Sequence, residues 1–233
     1  MMTMYDTRGT ELGWLSAQVV PWLRAVVKPN DLIVYDAPFA ALFYNIGCLI
    51  REGRPIDFVP DMIGPGLRKM VNIKVQNSVP VLDVALEPVS YRNPNVKCRS
   101  EIVLHCRAIS KCPERNWSKR KWEELVERLP FKPMVIGAVD DYAPSSSDAA
   151  LGQPLFAVFA DLSEARVVVG ASSGPMHIAQ MCKAPVVTWS GNAKKDQPRY
   201  LKEWNHFDTY TKFVAPTWNP TVDQVHKAIM EAF

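Results

Sequence analysis

The stretch VVVGASSGPMHIAQMCKAPVV, residues 167–187, decides the fold of this chain. It consists of an apolar run, a turn of small residues, a Gly-Pro entry into a helical pattern and a second apolar run. Buried strands on both sides of a helix are typical of a parallel sheet that is covered on both faces. Ligands of such sheets bind beyond the carboxyl ends of the strands. The turn after the first run is therefore a candidate ligand site.

This small-residue turn contains the groups that suit an anion. Either Ser172 or Ser173 can cap the helix, and Pro175 fits its first turn, where no amide donor is needed. Gly174 has no side chain to block a ligand, and the exposed amides together with the helix dipole attract negative charge. We expect His177 to face the same ligand. The alternative is a capped helix start whose histidine bonds only to nearby protein groups.

A second polar group follows the predicted strand EIVLHCR, residues 101–107. Cations and hydroxyls gathered at a strand end suit a diphosphate, whereas a solvated basic loop is the plainer alternative. Because both groups follow strand ends in the same half of the chain, we interpret them as parts of one site. The residues of this second group are His105, Arg107, Ser110, Lys111, Arg115 and Lys119.

Apolar runs that alternate with helical patterns predict an α/β fold in both halves of the chain. We expect two Rossmann-like lobes with parallel sheets and a cleft between them. The polar segment 87–100 is the best linker candidate, which gives an N-terminal lobe over residues 1–95 and a C-terminal lobe over residues 96–233. The final helix of the second lobe is a candidate for packing back on the first.

Several local patterns give more specific expectations. Residues 10–27 predict a first helix with a possible kink at Pro21, and residues 39–53 predict a second one. A short strand is expected at residues 56–61 and a flexible loop at residues 143–154. Ser118 is the predicted N-cap of a further helix. His206 and His226 are expected at the surface, and five tryptophans are expected in packing roles: Trp14, Trp22, Trp122, Trp189 and Trp204.

Composition narrows the classes of function. The 233 residues have a formal net charge of +3, which suits an anionic ligand and permits nucleic acid without favouring it. The five cysteines have no C-x-x-C spacing, so we expect neither a disulfide framework nor a zinc site. No apolar stretch is long enough to span a membrane, and the start lacks the pattern of a secretion signal. We therefore expect a cytoplasmic protein.

The order of motifs resembles the C-terminal lobe of glycosyltransferase family 9, the ADP-heptose:lipopolysaccharide heptosyltransferase group. The resemblance covers residues 101–191, and GPMHIA is its most specific piece. It implies the GT-B architecture, in which two Rossmann-like lobes hold a nucleotide-sugar donor mainly with the second lobe. Two positions depart from the family pattern: Ser172 stands where the family usually has Asp, and HCR stands where it has HPG.

The resemblance also implies roles for individual residues. Arg115 matches a family lysine that contacts donor phosphate, and Ser110 and Lys111 match a phosphate-binding loop. Either Asp140 or Asp141 falls near an acidic residue that binds ribose hydroxyls. Together, the residue patterns and the resemblance give the predicted donor-binding set of Arg107, Ser110, Lys111, Arg115, Asp140, Ser172, Ser173, Gly174, Met176 and His177.

The N-terminal lobe contains the predicted catalytic base. Heptosyltransferases place a catalytic Asp in the loop before the first helix, and the acidic residues here are Asp6 and Glu11. Glu11 lies closer to the start of the helix and is our candidate. The alternative is that Glu11 only interacts favourably with the helix dipole.

These observations predict a glycosyltransferase that moves a sugar from a nucleotide diphosphate sugar to an acceptor hydroxyl. We expect it to invert the anomeric configuration and to need neither a metal nor a cofactor. The partners would be the donor and a saccharide or other hydroxyl acceptor. Lys194, Lys195 and Arg199, in a segment that is either a mobile polar loop or a cover for the donor, are further candidate contacts.

Three other functions stay open at this point. The same chemistry could act on hydroxymethylated bases of DNA, in which case salt-sensitive DNA binding would be expected. A non-catalytic module could bind the nucleotide sugar without turnover. A nucleotide-sugar epimerase ranks last, because such chains are usually much longer.

Overall fold

The computed structural model describes residues 2–43, 45–52, 67–72, 86, 87, 89 and 100–233. The chain divides into two compact units, Met1–Asp83 and Val84–Phe233. Most of the predicted linker and the predicted strand at residues 56–61 lie outside the described residues.

The first unit is built on a parallel sheet with the strand order β3-β2-β1-β4. Strand β1 lies between β2 and β4 and pairs in parallel with both of them. The apolar side chains of Ile33 and Val34 in β2 are completely buried. The strands are β1 (Met2–Asp6), β2 (Leu32–Tyr35), β3 (Leu49–Glu52) and β4 (Leu67–Asn72).

The first predicted helix is confirmed, with an irregularity in its middle. It consists of α1 (Leu12–Trp14), a π-helical turn (Leu15–Val19) and α2 (Val20–Val26). The irregularity precedes Pro21, which has no amide donor and so removes one hydrogen bond from a helical run that is continuous from α1 to α2. The π-helical turn lies at the place where such a proline disturbs the winding.

The second predicted helix, at residues 39–53, is wrong. A 3-10 helix covers Ala37–Phe43, and the chain then enters strand β3. Asn45 and Gly47 between them have φ angles of 51° and 80°, a left-handed backbone that ends helical winding. Leu49 and Ile50, the apolar pair after this turn, begin strand β3, which pairs with β2.

The second unit contains a six-stranded parallel sheet with the order β10-β9-β8-β5-β6-β7. From β5 the chain builds the sheet outward through β6 and β7. It then returns to the other side of β5 and continues outward through β8, β9 and β10. This is the Rossmann order, and the direction of winding reverses between β5 and β8. The strands are β5 (Ile102–His105), β6 (Met134–Gly137), β7 (Asp148–Leu151), β8 (Val167–Ala171), β9 (Val186–Trp189) and β10 (Thr211–Phe213).

Helices cover this second sheet. Ser118 caps α3 by accepting a hydrogen bond from the amide of Lys121, as predicted, and Thr221 caps α7 with a capping box. Helix α7 packs on α3 and β9 of its own unit. The helices are α3 (Lys119–Arg128), α4 (Leu155–Glu164), α5 (Gly174–Met181), α6 (Ala193–Pro198) and α7 (Val222–Ala232), with a π-helical turn at Arg199–Glu203.

Aromatic side chains fill the core under α3 and α7. The rings of Trp117, Trp122 and Trp189 lie 4.7–5.9 Å apart, centroid to centroid. The predicted packing role is confirmed for Trp122, Trp189 and Trp204, which are all buried. None of the helices that the structure describes is long and apolar enough to cross a membrane.

Three expectations for the second unit are wrong. The predicted flexible loop at residues 143–154 contains β7, an edge strand whose first two residues are exposed and so lack the apolar signal of a buried strand. The expected alternative of a mobile loop at residues 191–200 is also wrong, since α6 occupies most of it. His206, expected at the surface, is buried with 6% of its surface exposed.

Candidate functional site

The strand ends at the winding reversal bring the predicted polar groups together. His105 ends β5 and pairs in register with Gly170 of the neighbouring β8. The Nδ1 atom of His105 lies 3.0 Å from the hydroxyl of Ser173, in the turn that follows β8. Arg115, from the loop after β5, donates a hydrogen bond to the carbonyl of Ser172. The two polar groups of the sequence therefore lie together at this edge of the sheet.

The small-residue turn is held by protein contacts different from those predicted. Ser173 is the N-cap residue of α5, but its hydroxyl donates to the carbonyl of Ala171 at 2.8 Å and caps no helix amide. The predicted cap is therefore wrong, whereas Pro175 lies in the first turn as expected. The amide of Ser173 donates to the hydroxyl of Tyr200 at 3.1 Å, and this hydroxyl donates to Ser172 Oγ at 3.2 Å.

Arg115 is held at the edge of this turn. Its guanidinium carbon lies 4.9 Å from the ring centroid of Trp218, a cation–π distance. Trp218 packs against Gly191, where a Cβ atom would collide with the indole ring. The Nε atom of Arg115 is buried and has no hydrogen-bond partner among the described residues. The side chain thus places a permanent positive charge beside the serines.

Arg107 shapes the loop after β5. Its guanidinium donates to the carbonyl of Cys112 at 2.9 Å, to the carbonyl of Lys111 and to the side chain of Asn116. Burial lowers the pKa of Arg107, and the nearby charge of Arg115 lowers it further. These bonds give Arg107 a role in organising the loop, and its direct contact with a donor stays a prediction.

The exposed surface of this loop is provided by Ser110 and Lys111. Both predicted phosphate-binding residues thus remain accessible at the carboxyl end of β5. Lys119, at the start of α3, lies with its ammonium 5.0 Å from the ring centroid of Tyr142.

The acidic pair after β6 divides between surface and interior. Asp140 is exposed, whereas Asp141 is buried and accepts hydrogen bonds from the amides of Ala108 at 2.8 Å and Ala138 at 2.9 Å. Burial opposes the ionisation of Asp141, but hydrogen bonds from His105 and from these amides outweigh it, so its pKa lies below the ordinary value. Of the two candidates, Asp140 is the one that is accessible to a ribose.

Met176 and His177 are core residues. Met176 is completely buried, and the His177 ring stacks on Tyr200 with centroids 4.6 Å apart and contacts the edge of Trp204 at 5.0 Å. Burial lowers the pKa of His177 to about 3, so its imidazole is neutral. The predicted donor contacts of these two residues are corrected to packing roles, because their side chains point from α5 into the unit.

The segment after β9 carries the remaining cationic candidates. Lys194 and Lys195 are exposed on α6, and Lys194 lines a hollow of about 390 Å³ together with Leu201. Arg199 stacks over Trp204 at 4.7 Å and forms weak ion pairs within its own segment. Arg199 therefore stabilises the turn, while the two lysines are directed to solvent.

In the first unit, the structure separates the two acidic candidates for a base. Asp6 is buried and forms a bidentate pair with Arg8, with both N–O distances at 2.8 Å. Glu11 is exposed at the N-cap position of α1, and its side chain forms no capping hydrogen bond. The loop between them is anchored by the amide of Gly9, which donates to Asp36 at 2.7 Å. This loop follows β1, the strand at which the winding of the first sheet reverses.

The part of the chain that the structure describes contains no group of three His, Cys, Asp or Glu residues able to hold a metal ion. No disulfide joins the cysteines of this part of the chain, which are Cys48, Cys106, Cys112 and Cys182. Burial raises the pKa of Cys106 well above its ordinary value, which leaves this thiol protonated.

Sequence comparisons and structure comparisons give different results. Neither a protein-family profile nor a curated protein sequence matches the chain. Solved structures match over almost its entire length. A glycosyl transferase of family 9 from Veillonella parvula has a TM-score of 0.62 at 12% identity, over 99% of this chain and 96% of that one.

Two Escherichia coli structures agree with this result. ADP-heptose lps heptosyltransferase II has a TM-score of 0.63 at 11% identity, over 100% of this chain and 98% of that one. Heptosyltransferase WaaC, solved with ADP, has a TM-score of 0.60 at 11% identity, over 100% of both chains. The chain therefore has the α/β GT-B fold of these glycosyltransferases, with a Rossmann-like parallel sheet in each unit.

Proposed function

We propose that the protein is a glycosyltransferase that transfers a sugar from a nucleotide diphosphate sugar to an acceptor hydroxyl. The observation that carries this proposal is the meeting of two polar groups at the winding reversal of the second sheet. Arg115 there bonds to Ser172, and His105 lies within hydrogen-bond distance of Ser173. The GT-B fold supports it, since each structure compared above is that of a glycosyltransferase.

The donor's diphosphate would bind at the carboxyl ends of β5 and β8. Arg115 and Lys111 would supply positive charges, and the N-terminus of α5 would supply a favourable dipole at Gly174. Ser110 and Ser173 add hydroxyls at the two sides of this position. Asp140, exposed after β6, would accept hydrogen bonds from the ribose.

In the reaction, the acceptor oxygen forms a bond to the anomeric carbon as the bond to the diphosphate breaks. Glu11 would take the acceptor's proton, and the diphosphate leaves with an added negative charge. Arg115 and Lys111 would stabilise that charge, already oriented before the step. We propose that this one-step displacement inverts the anomeric configuration and that these cations replace a metal ion at the leaving group.

A nucleotide screen tests the proposal directly. Thermal unfolding is measured with ADP, GDP, CDP and UDP, and with the matching nucleosides as controls that lack the diphosphate. A nucleoside diphosphate present at about 100 times its Kd stabilises the folded state by about 2.7 kcal/mol, a shift of several degrees. The best nucleotide then identifies the sugar donors to assay for release of nucleoside diphosphate with hydroxyl acceptors.

The outcomes separate the candidate functions. A shift with a diphosphate but not with its nucleoside, followed by turnover, supports the transferase. Binding without turnover on any acceptor would leave a nucleotide-sugar-binding module. No shift with any nucleoside diphosphate would contradict the proposal altogether. Addition of EDTA to the turnover assay tests whether the reaction proceeds without a metal.

A further inference from the structure

The interior of the candidate site contains a chain of three polar side chains that the reaction as proposed does not use. It runs from Asp141, after β6, through His105, at the end of β5, to Ser173, after β8. The Nε2 atom of His105 lies 3.5 Å from Asp141 Oδ2, and its Nδ1 atom lies 3.0 Å from Ser173 Oγ. Asp141 and His105 are both buried. One imidazole therefore connects three loops that meet at the winding reversal.

Glycines in β6 and β8, the strands on both sides of β5, leave space for this connection. A Cβ atom on Gly170, the residue in register with His105, would lie 3.2 Å from the Cβ atom of His105 and from Met176 Cε. A Cβ atom on Gly137 would lie 2.5 Å from Asp141 Oδ2, and Gly137 has a φ angle of 154°, which side chains rarely adopt. Glycine at these two positions lets the histidine and the carboxylate approach the sheet closely.

Each end of the chain is also fixed. The carboxylate of Asp141 accepts the amides of Ala108 and Ala138, which holds the loops after β5 and β6 together. At the other end, the hydroxyl of Ser173 donates to the carbonyl of Ala171 at 2.8 Å and lies 3.0 Å from His105 Nδ1. Loss of the imidazole would remove one contact from Ser173 and one from Asp141, although Asp141 would keep its two amides and Ser173 the carbonyl of Ala171.

We propose that His105 is a positioning residue of the donor site, which holds the hydroxyl of Ser173 and the small-residue turn in the geometry that grips a diphosphate. This inference rests on the proposed function. His105 does not itself contact the donor, because it is buried beneath the loops. It acts through Ser173, while Asp141 orients the imidazole from the opposite side.

Two substitutions separate the two contacts of the ring. In His105→Asn the amide lies near the position of Nδ1 and keeps the contact with Ser173. In His105→Gln the amide reaches the position of Nε2 and keeps only the contact with Asp141. His105→Ala removes both contacts. The control is His206→Ala, which truncates another buried histidine of the same unit.

The measurement is the Kd for the nucleoside diphosphate that stabilises the parent most among ADP, GDP, CDP and UDP, together with the Tm of each variant. We expect His105→Ala and His105→Gln to raise this Kd about tenfold, which corresponds to one lost hydrogen bond in a buried network. His105→Asn is expected to stay within about threefold of the parent. His206→Ala is expected to lower the Tm and to leave the Kd unchanged.

If His105 had a purely structural role, the Kd for the nucleoside diphosphate would change only as far as the Tm of each variant changes. The Asn and Gln variants of His105 would then bind the nucleotide equally, and His206→Ala would weaken binding as well. Either result overturns the inference. The comparison of Asn with Gln decides the matter even where His105→Ala does not fold. A parent that binds no nucleoside diphosphate overturns the proposed function together with this inference. A parent that binds while His105→Ala binds equally well overturns the positioning role alone.

Discussion

The hydroxyl of Tyr200 lies 3.1 Å from the amide nitrogen of Ser173 and accepts its hydrogen bond. Tyr200 belongs to the π-helical turn after α6, whereas Ser173 follows β8, so the phenol ties the segment after β9 to the small-residue turn. Burial raises the pKa of Tyr200 far above its ordinary value, so the hydroxyl stays protonated and donates a hydrogen bond to Ser172. The turn is thus held by a side chain that comes from another part of the chain.

Removal of this hydroxyl is expected to destabilise the second unit without disturbing its packing. Tyr200→Phe leaves the Ser173 amide and the Ser172 hydroxyl without the phenol, while the ring still stacks on His177. The free energy of unfolding, measured by urea titration, should fall by about 1–2 kcal/mol. Tyr210→Phe, at a tyrosine that is 50% exposed, is the matched control and should change it little. Equal losses in both variants would contradict the role of the Tyr200 hydroxyl.

The assignment of the base predicts a separation of binding from turnover. Glu11→Gln preserves the size of the side chain and removes its ability to take a proton, so kcat should fall about 10²–10⁴-fold. The Kd for the nucleoside diphosphate should stay unchanged, because the residues proposed to bind the donor belong to the second unit. Glu127→Gln, at an exposed residue of α3, serves as the control. Turnover of Glu11→Gln at the parent's rate would show that another group is the base.

The charge of Arg115 predicts an effect on donor binding. Arg115→Ala removes the guanidinium that lies over Trp218 and bonds to Ser172, and the Kd for the nucleoside diphosphate should rise about tenfold or more. Arg120→Ala removes an exposed arginine of α3 and should leave the Kd unchanged. Calorimetric titration of both variants against the parent checks this difference. An equal effect of the two changes would indicate only a loss of net positive charge.

His177 predicts a pH dependence of stability. In the unfolded chain its pKa is near 6.5, and burial lowers it to about 3 in the folded state. Between these values the unfolded chain binds a proton that the folded protein excludes, so stability falls as the pH falls through this window. The contribution of one such group is at most about 1.4 kcal/mol per pH unit.

Substitution of this histidine should remove that contribution. His177→Phe keeps a ring for the stack on Tyr200 and cannot be protonated, so its free energy of unfolding should vary less with pH than that of the parent. The measurement is urea titration at several pH values from neutral to about 4. His226→Phe, at a half-exposed histidine, should retain the slope of the parent. An unchanged slope in His177→Phe would show that this imidazole is not the group responsible.

The strength of local signals explains which elements were predictable. The unit β8–α5–β9 combines two apolar runs with a proline in the first helical turn, and each of these features acts within a few residues. The cap of α3 by Ser118 is equally local. By contrast, β7 is an edge strand with polar exposed residues and β10 has only three residues, so neither shows the pattern of a buried strand.

The candidate site was predictable in location more than in detail. The strand ends and the cations that follow them were visible in the sequence. Their meeting at one edge of the sheet could be expected, because parallel strands place their carboxyl ends there. The burial of Met176 and His177 was not visible, since the direction of α5 relative to Tyr200 depends on a segment that lies beyond β9.

The sequence by itself determined the α/β alternation, the strand–turn–helix units and the positions of polar residues at strand ends, because these depend on neighbours in the chain. Only the tertiary structure decided which polar groups meet. His105 and Ser173 are 68 residues apart, and Tyr200 and Ser173 are 27 apart, yet each pair shares a hydrogen bond. Such bonds depend on strand order and on side-chain burial, which appear only when the whole sheet is assembled.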